Sequence, residues 1–463
     1  MQAWIRGTLA TAGSFGICWS GAIWNWRATN RMPSNSDLAI YLLALPLVLL
    51  VGAFAVQRLV RARAATPAAT ASAAVAPAAA PAPPPVRAGT LALLGAGVRT
   101  AHGESIDELA EALATQRARP DLDPELVDDA GYPVMSVRAA SADAAQWRDE
   151  AEPWLAAQGH ADVPFGDAHW RAVELASGVA LELADAAALA ASGIADANTQ
   201  PPLLRVVPLA PADWTVAERS AAGAWFAHLA TQAGWDAARV SVTMPTPGEP
   251  AVAAPTLLML LANPAAAEGA PVLTMLLAFD SRLDQAVVDR MSADGRLFSA
   301  SRPQGIVPGE GAAGLLVAPA AVGRQLDAEA PSLQVAGAVR AASADATSRV
   351  DATDLRRVVG QLIADANVVA ADVALVVADA DHRSSRVLEM MALAHEDLSH
   401  LDAGADVRTT GPACGHAGAV PLLTALALAG HAVRNDARAV LCVGIGDPVQ
   451  RSAALVRPAS EVV

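Results

Sequence analysis

Gln304–Pro319 reads QGIVPGEGAAGLLVAP, a tight turn running into an apolar segment. Pro308 and Gly309 punctuate the backbone, and Gly311 and Gly314 let another chain segment approach closely. Leu315, Leu316 and Val317 are apolar without alternation, which predicts a strand covered on both faces. Ahead of it, Val272–Ser281 (VLTMLLAFDS) predicts another buried strand ending in an acidic turn. Ala439–Pro458 (AVLCVGIGDPVQRSAALVRP) repeats the order: strand, Gly-Asp-Pro turn, apolar strand. Two such units predict a duplicated α/β architecture, with halves at 89–325 and 330–463, each closing on one of them.

The rest of the globular part fits that frame. Thr90–Val98 predicts a buried strand and Ser105–Gln116 an amphipathic helix capped by Ser105. Leu333–Ala341 echoes the first strand, Thr353–Val369 has helical spacing, and Val373–Val377 predicts a further buried strand. Residues 141–240 read as mainly helical, with Trp147, Trp154, Trp170, Trp214, Trp225 and Trp235 as core anchors. Asp121, Asp123, Glu125, Asp128 and Asp129 lack calcium-loop spacing and are interrupted by Pro124, so Arg119–Arg138 reads as a solvated loop. His160, His169 and His228 show no metal-ligand pattern and read as structural.

Composition narrows the chemistry. The chain has 463 residues, 53% hydrophobic but only 4% aromatic, because alanine dominates. Its 32 basic residues are all arginine, so mechanisms needing a lysine amine are excluded. A net charge of −15 and no basic stripe set nucleic-acid binding aside. Three cysteines make no disulfide framework, and no metal or cofactor motif is present.

The N-terminal 63 residues read as a membrane anchor. Leu38–Val60 is long and apolar enough to span a bilayer, with Arg58, Arg61 and Arg63 around its end. Gly7–Trp26 is a second, more polar candidate span. If both cross, the arginine count puts the globular part in the cytoplasm; if only the second crosses, the count decides nothing and the periplasm stays open. Residues 64–88 are Ala/Pro-rich and predict an extended linker reaching on the order of 70 Å.

In order along the chain, Thr90–Leu113, Phe279-Asp280-Ser281, Gly305–Val317, Gly415-His416 and Asp447–Val456 resemble the thiolase-like superfamily, closest to the β-ketoacyl synthases. The resemblance implies a five-layer αβαβα fold and places His416 at one active-site histidine. It also implies a cysteine nucleophile some tens of residues before Phe279, a second histidine loop around Ala378–Asp381, and a lysine before the Gly-His turn. None of these three is matched: no cysteine lies between Cys18 and Cys414, His382 is followed by Arg383-Ser384-Ser385, and lysine is absent. The expectation is therefore a pseudoenzyme that binds a protein partner. The acidic segment Arg119–Arg138 and the general layout also resemble bacterial membrane-tethered adaptors found beside type VI secretion lipase effectors, which makes a secreted lipase the implied partner. The alternatives are a divergent acyl-transfer enzyme using Cys414 and His416, and an acyl-chain sensor; homodimerisation is left open.

Overall fold

The computed structural model describes residues 89–140, 144–192, 202–244, 254–263, 271–346 and 350–459. The two candidate spans and the 64–88 linker lie outside them.

Ten strands form one sheet. Five belong to the N-terminal half: β1 (Thr90–Arg99), β4 (Leu203–Leu209), β5 (Val240–Val242), β6 (Val272–Ser281) and β7 (Glu310–Pro319). Five follow: β8 (Ser332–Val339), β9 (Val373–Ala378), β10 (Val407–Thr409), β11 (Ala439–Gly444) and β12 (Gln450–Arg457). Outward from the centre the orders are β1, β7, β6, β4, β5 on one side and β8, β12, β11, β9, β10 on the other. The pairing senses match as well. β7 is antiparallel to β1 and β6, as β12 is to β8 and β11. β4 runs parallel to β5 and β6, as β9 does to β10 and β11. The halves join through β1 and β8, with Leu91 opposite Leu333.

The helices explain why the central strands are apolar on both faces. α11 (Val420–Asp436) touches β1, β6 and β7 of one half and β9, β11 and β12 of the other. α5 (Ala254–Leu261) packs on β8. α3 (Asp167–Ser192) covers β1, β6 and β7, α4 (Val216–Gln232) covers β4 and β5, and α8 (Thr353–Asp365) covers β8 and β12. Neighbouring residues on β7 consequently enter different cores. Leu315 and Val317 join the cluster around α11, whereas Leu316 and Ala318 join the one around α3. On β12, Ala454 and Val456 share that α11 cluster, while Ala453 and Leu455 meet α8. Successive strand side chains point to opposite faces, so three cores require unbroken apolar runs.

α3 is long and apolar enough to cross a membrane by composition alone. Here Val179, Ala180, Leu183 and Ala184 are fully buried against the sheet. Helix α1 (Ile106–Ala114) starts where expected, with Ser105 Oγ accepting from Glu108 N at 3.2 Å.

Two expectations fail. The mainly helical region 141–240 also contains β4 and β5; Pro208 and Arg205 within LLRVVPL blunted the strand signal. The segment read as a solvated loop is a hairpin, β2 (Asp121–Val127) and β3 (Pro133–Ser136). Asp123 is buried and accepts from Ser136 Oγ at 2.5 Å and Arg138 Nη2 at 2.8 Å. These partners and two backbone amides hold its carboxyl down at about 2, overcoming the upward push of burial.

A Cβ on Gly309 would meet the Cys414 carbonyl oxygen at 2.1 Å, whereas one on Gly360 in α8 meets nothing within 4 Å. Gly309→Ala should therefore destabilise by on the order of 1–3 kcal/mol. Gly360→Ala should stabilise by roughly 0.5–1 kcal/mol. Urea midpoints with unchanged m values would read both shifts; a Gly309→Ala midpoint equal to the native one contradicts this packing.

Candidate functional site

The two halves meet at the loops beyond the strand ends. His416 N donates to Val307 O at 2.9 Å, and Pro308 bridges to His416. Gly415 and Gly418 adopt φ of +60° and +54°, a left-handed conformation that glycine takes without a Cβ penalty. The turn they shape precedes α11 and presents the imidazole of His416 to a cavity of about 1510 Å³. Asp280, near the end of β6, and Arg282, just after it, line it from one half. Asp379, Arg383 and His416 line it from the other.

His416 is open to this cavity yet lies deep among protein atoms. Desolvation, then the positive charges of Arg282, Arg383 and Arg296, lower its pKa to about 4. At neutral pH the imidazole is uncharged and able to donate one hydrogen bond and accept another.

Cys414 does not join it. Its side chain is fully buried, with Sγ donating to Thr424 Oγ1 at 3.7 Å, and it is absent from the cavity wall. Burial pushes the thiol up to about 12, far from thiolate chemistry. The pairing of Cys414 with His416 considered from sequence is thus not formed: one residue faces the core, the other the cavity.

Where the resemblance calls for a second histidine, Asp379 directly follows β9 instead. Its Oδ1 accepts from Ile445 N at 2.6 Å and Gly446 N at 2.8 Å. Burial nevertheless raises its carboxyl to about 6, against those two hydrogen bonds. His382 is exposed, outside the cavity wall, with its ring edge-on to Phe298 at 5.0 Å. Glu310 is fully buried and structural. It accepts from Arg171 Nε at 2.8 Å, Ser281 Oγ at 2.8 Å and Ala139 N at 2.9 Å, tying β7 to α3 and to the segment after β3. His169 and His228 stack in the aromatic layer with Phe165 and Trp154. Among the described residues no group of three His, Cys, Asp or Glu gathers as metal ligands.

Sequence reading missed the arginines. Arg282 follows the quoted Phe279-Asp280-Ser281 directly and was available. Arg296 and Arg383 reach the His416 neighbourhood only through the fold, from a loop after α6 (Gln285–Ala293) and from the start of α9 (Ser384–Asp397).

The depressed pKa of His416 carries a stability signature. An unfolded histidine takes up its proton near pH 6.5, the folded one only near pH 4. The folded state binds fewer protons in that window, so this contribution is complete above pH 6.5 and is lost as pH falls toward 4. His416→Asn should flatten that part of the stability curve, and the ring resonances of His416 should stay those of neutral imidazole down to about pH 5. Protonation of the ring near pH 6.5 contradicts the assigned environment.

No protein-family model and no curated protein matches the sequence. Solved structures do match. The ishigamide ketosynthase/chain length factor is 16% identical with a TM-score of 0.52, covering 80% of this chain and 99% of that one. A β-ketoacyl synthase from Burkholderia phymatum STM815 is 14% identical at a TM-score of 0.53, with 80% and 99% covered. The ketosynthase of the AntDE:AntF complex, a type II polyketide synthase, is 13% identical at a TM-score of 0.55, again with 80% and 99% covered. With a large mixed sheet, matched halves and neighbours of this kind, the chain has the thiolase-like fold of the ketosynthases.

Proposed function

We propose that this thiolase-like domain binds rather than condenses: a pseudoenzyme held at the bacterial inner membrane and serving as an adaptor for a protein partner. The carrying observation is the isolation of His416. It faces the cavity while Cys414, the nearest thiol in sequence, is sealed in the core. Condensation needs a nucleophile to hold the acyl group as a thioester while the second substrate decarboxylates. The stretch ahead of α5, residues 245–253, lies outside the described residues and contains no cysteine. A neutral histidine without a nucleophile to activate supplies only a hydrogen-bonding group.

Leu38–Val60 and the 64–88 linker support the tether, and the arginine count supports a cytoplasmic domain. The resemblance of Arg119–Arg138 and of the layout supports a secreted lipase effector as the partner class. The divergent acyl-transfer reading loses its motivation, because it required Cys414 and His416 to act together.

Washed inner-membrane vesicles with and without the full chain test the proposal. Given acyl-thioester and malonyl-thioester substrates, the chain should sediment with the vesicles and add no carbon dioxide release. Release that depends on the chain and vanishes in His416→Ala overturns the pseudoenzyme reading; recovery of the chain in the supernatant overturns the tether.

A further inference from the structure

The strip between Gly295 and Ile306 walls one side of the cavity. It is closed as a small loop by the Leu297–Ile306 and Ser299–Arg302 bridges. Gln304 clasps it to the other half, its Oε1 accepting from both N and Oγ of Ser384 at 2.8 Å. The strip carries Arg296 and Arg302 into the cavity wall. Both are solvent-exposed, neither joins an ion pair among the described residues, and Arg302 donates from Nη1 to Ser292 O at 3.3 Å. The Arg302 guanidinium carbon lies 3.8 Å from where a Cβ on Gly295 would sit, and Gly295 precedes Arg296 in sequence.

Arg282 lines the same cavity with spare capacity. Its Nε and Nη1 serve Asp280 at 2.9 Å and Asp213 at 2.7 Å, leaving Nη2 without an acceptor. Arg383, by contrast, is spent on Asp381, Asp345 and the Gly446 carbonyl. The wall beside His416 therefore holds guanidinium donors with no protein acceptor, in a concave site that concentrates their field. An apolar chain laid against them would desolvate charge without compensation. A dianion would instead accept several charge-assisted hydrogen bonds in the planar geometry that guanidinium suits.

We propose that the cavity holds a small dianion, a phosphate or a dicarboxylate, against Arg282, Arg296 and Arg302 beside His416. This deepens the binding reading and rests on it. The neutral imidazole contributes a hydrogen bond and adds no competing anion.

Calorimetric titration of the full chain with inorganic phosphate and, separately, with succinate tests this. At least one should bind, with affinity falling as ionic strength rises. The double variant Arg296→Gln/Arg302→Gln removes no ion pair among the described residues and one part-buried hydrogen bond, from Arg302 to Ser292 O, so Tm should change little while binding weakens tenfold or more. Phosphate binding alone identifies the phosphate class, succinate binding alone the dicarboxylate class, and binding of both the shared dianion chemistry. Binding of neither probe, or affinity unchanged in the double variant, overturns the proposal. Carbon dioxide release plays no part in this readout, so its failure is separable from failure of the non-condensing reading.

Discussion

The contact of Gly309 with the Cys414–Gly415 turn is the constraint on which the rest of the molecule depends. Two halves with the same strand order could be joined through β1 and β8 alone, leaving their far ends free to splay. They are instead pinned where β7 begins and where α11 begins, by backbone approaching backbone and the bond from His416 N to Val307 O. Only glycine fits at 309, and a left-handed Gly415 lets the opposing turn come in. That seam fixes where α11 starts, and α11 is the helix that both sets of strands pack against. It also fixes the site, because the residue that crosses the seam is the one whose side chain enters the cavity.

Charge distinguishes this cavity. Two buried guanidiniums elsewhere share one carboxylate: Arg451 gives Glu389 two bonds, at 2.8 and 3.0 Å, and Arg340 adds a third at 3.1 Å. Removing either partner from such a pair strands the other, which keeps α9, β8 and β12 in one arrangement. Around His416 the balance is incomplete. Of the neighbours that depress its pKa, Arg383 is paired with Asp381 and Asp345, whereas Arg282 keeps Nη2 without an acceptor beside Asp280 and Asp213.

Much of the fold was legible because its signals are local and repeated. Unalternating runs such as Leu315–Val317 and Ala453–Val456 announce strands with two covered faces, and their recurrence announces duplication. β4 escaped because Arg205 and Pro208 interrupt an otherwise apolar run, and β5 because three residues carry no period. The hairpin at Asp121–Ser136 escaped because the burial of Asp123 depends on Arg138, fifteen positions away. At the site, His416 was readable from its Gly-His turn. The orientation of Cys414 away from it, and the gathering of Arg282, Arg296 and Arg383, follow from long-range packing that no spacing rule encodes.

The central claim is that nothing in this cavity takes up an acyl group. Intact-mass spectrometry of the full chain after exposure to an acyl thioester tests it most directly. The account predicts an unmodified mass at neutral pH, matched by a His416→Ala variant. A stoichiometric acyl adduct mapping to a residue of the cavity wall, or to the stretch ahead of α5, would contradict it.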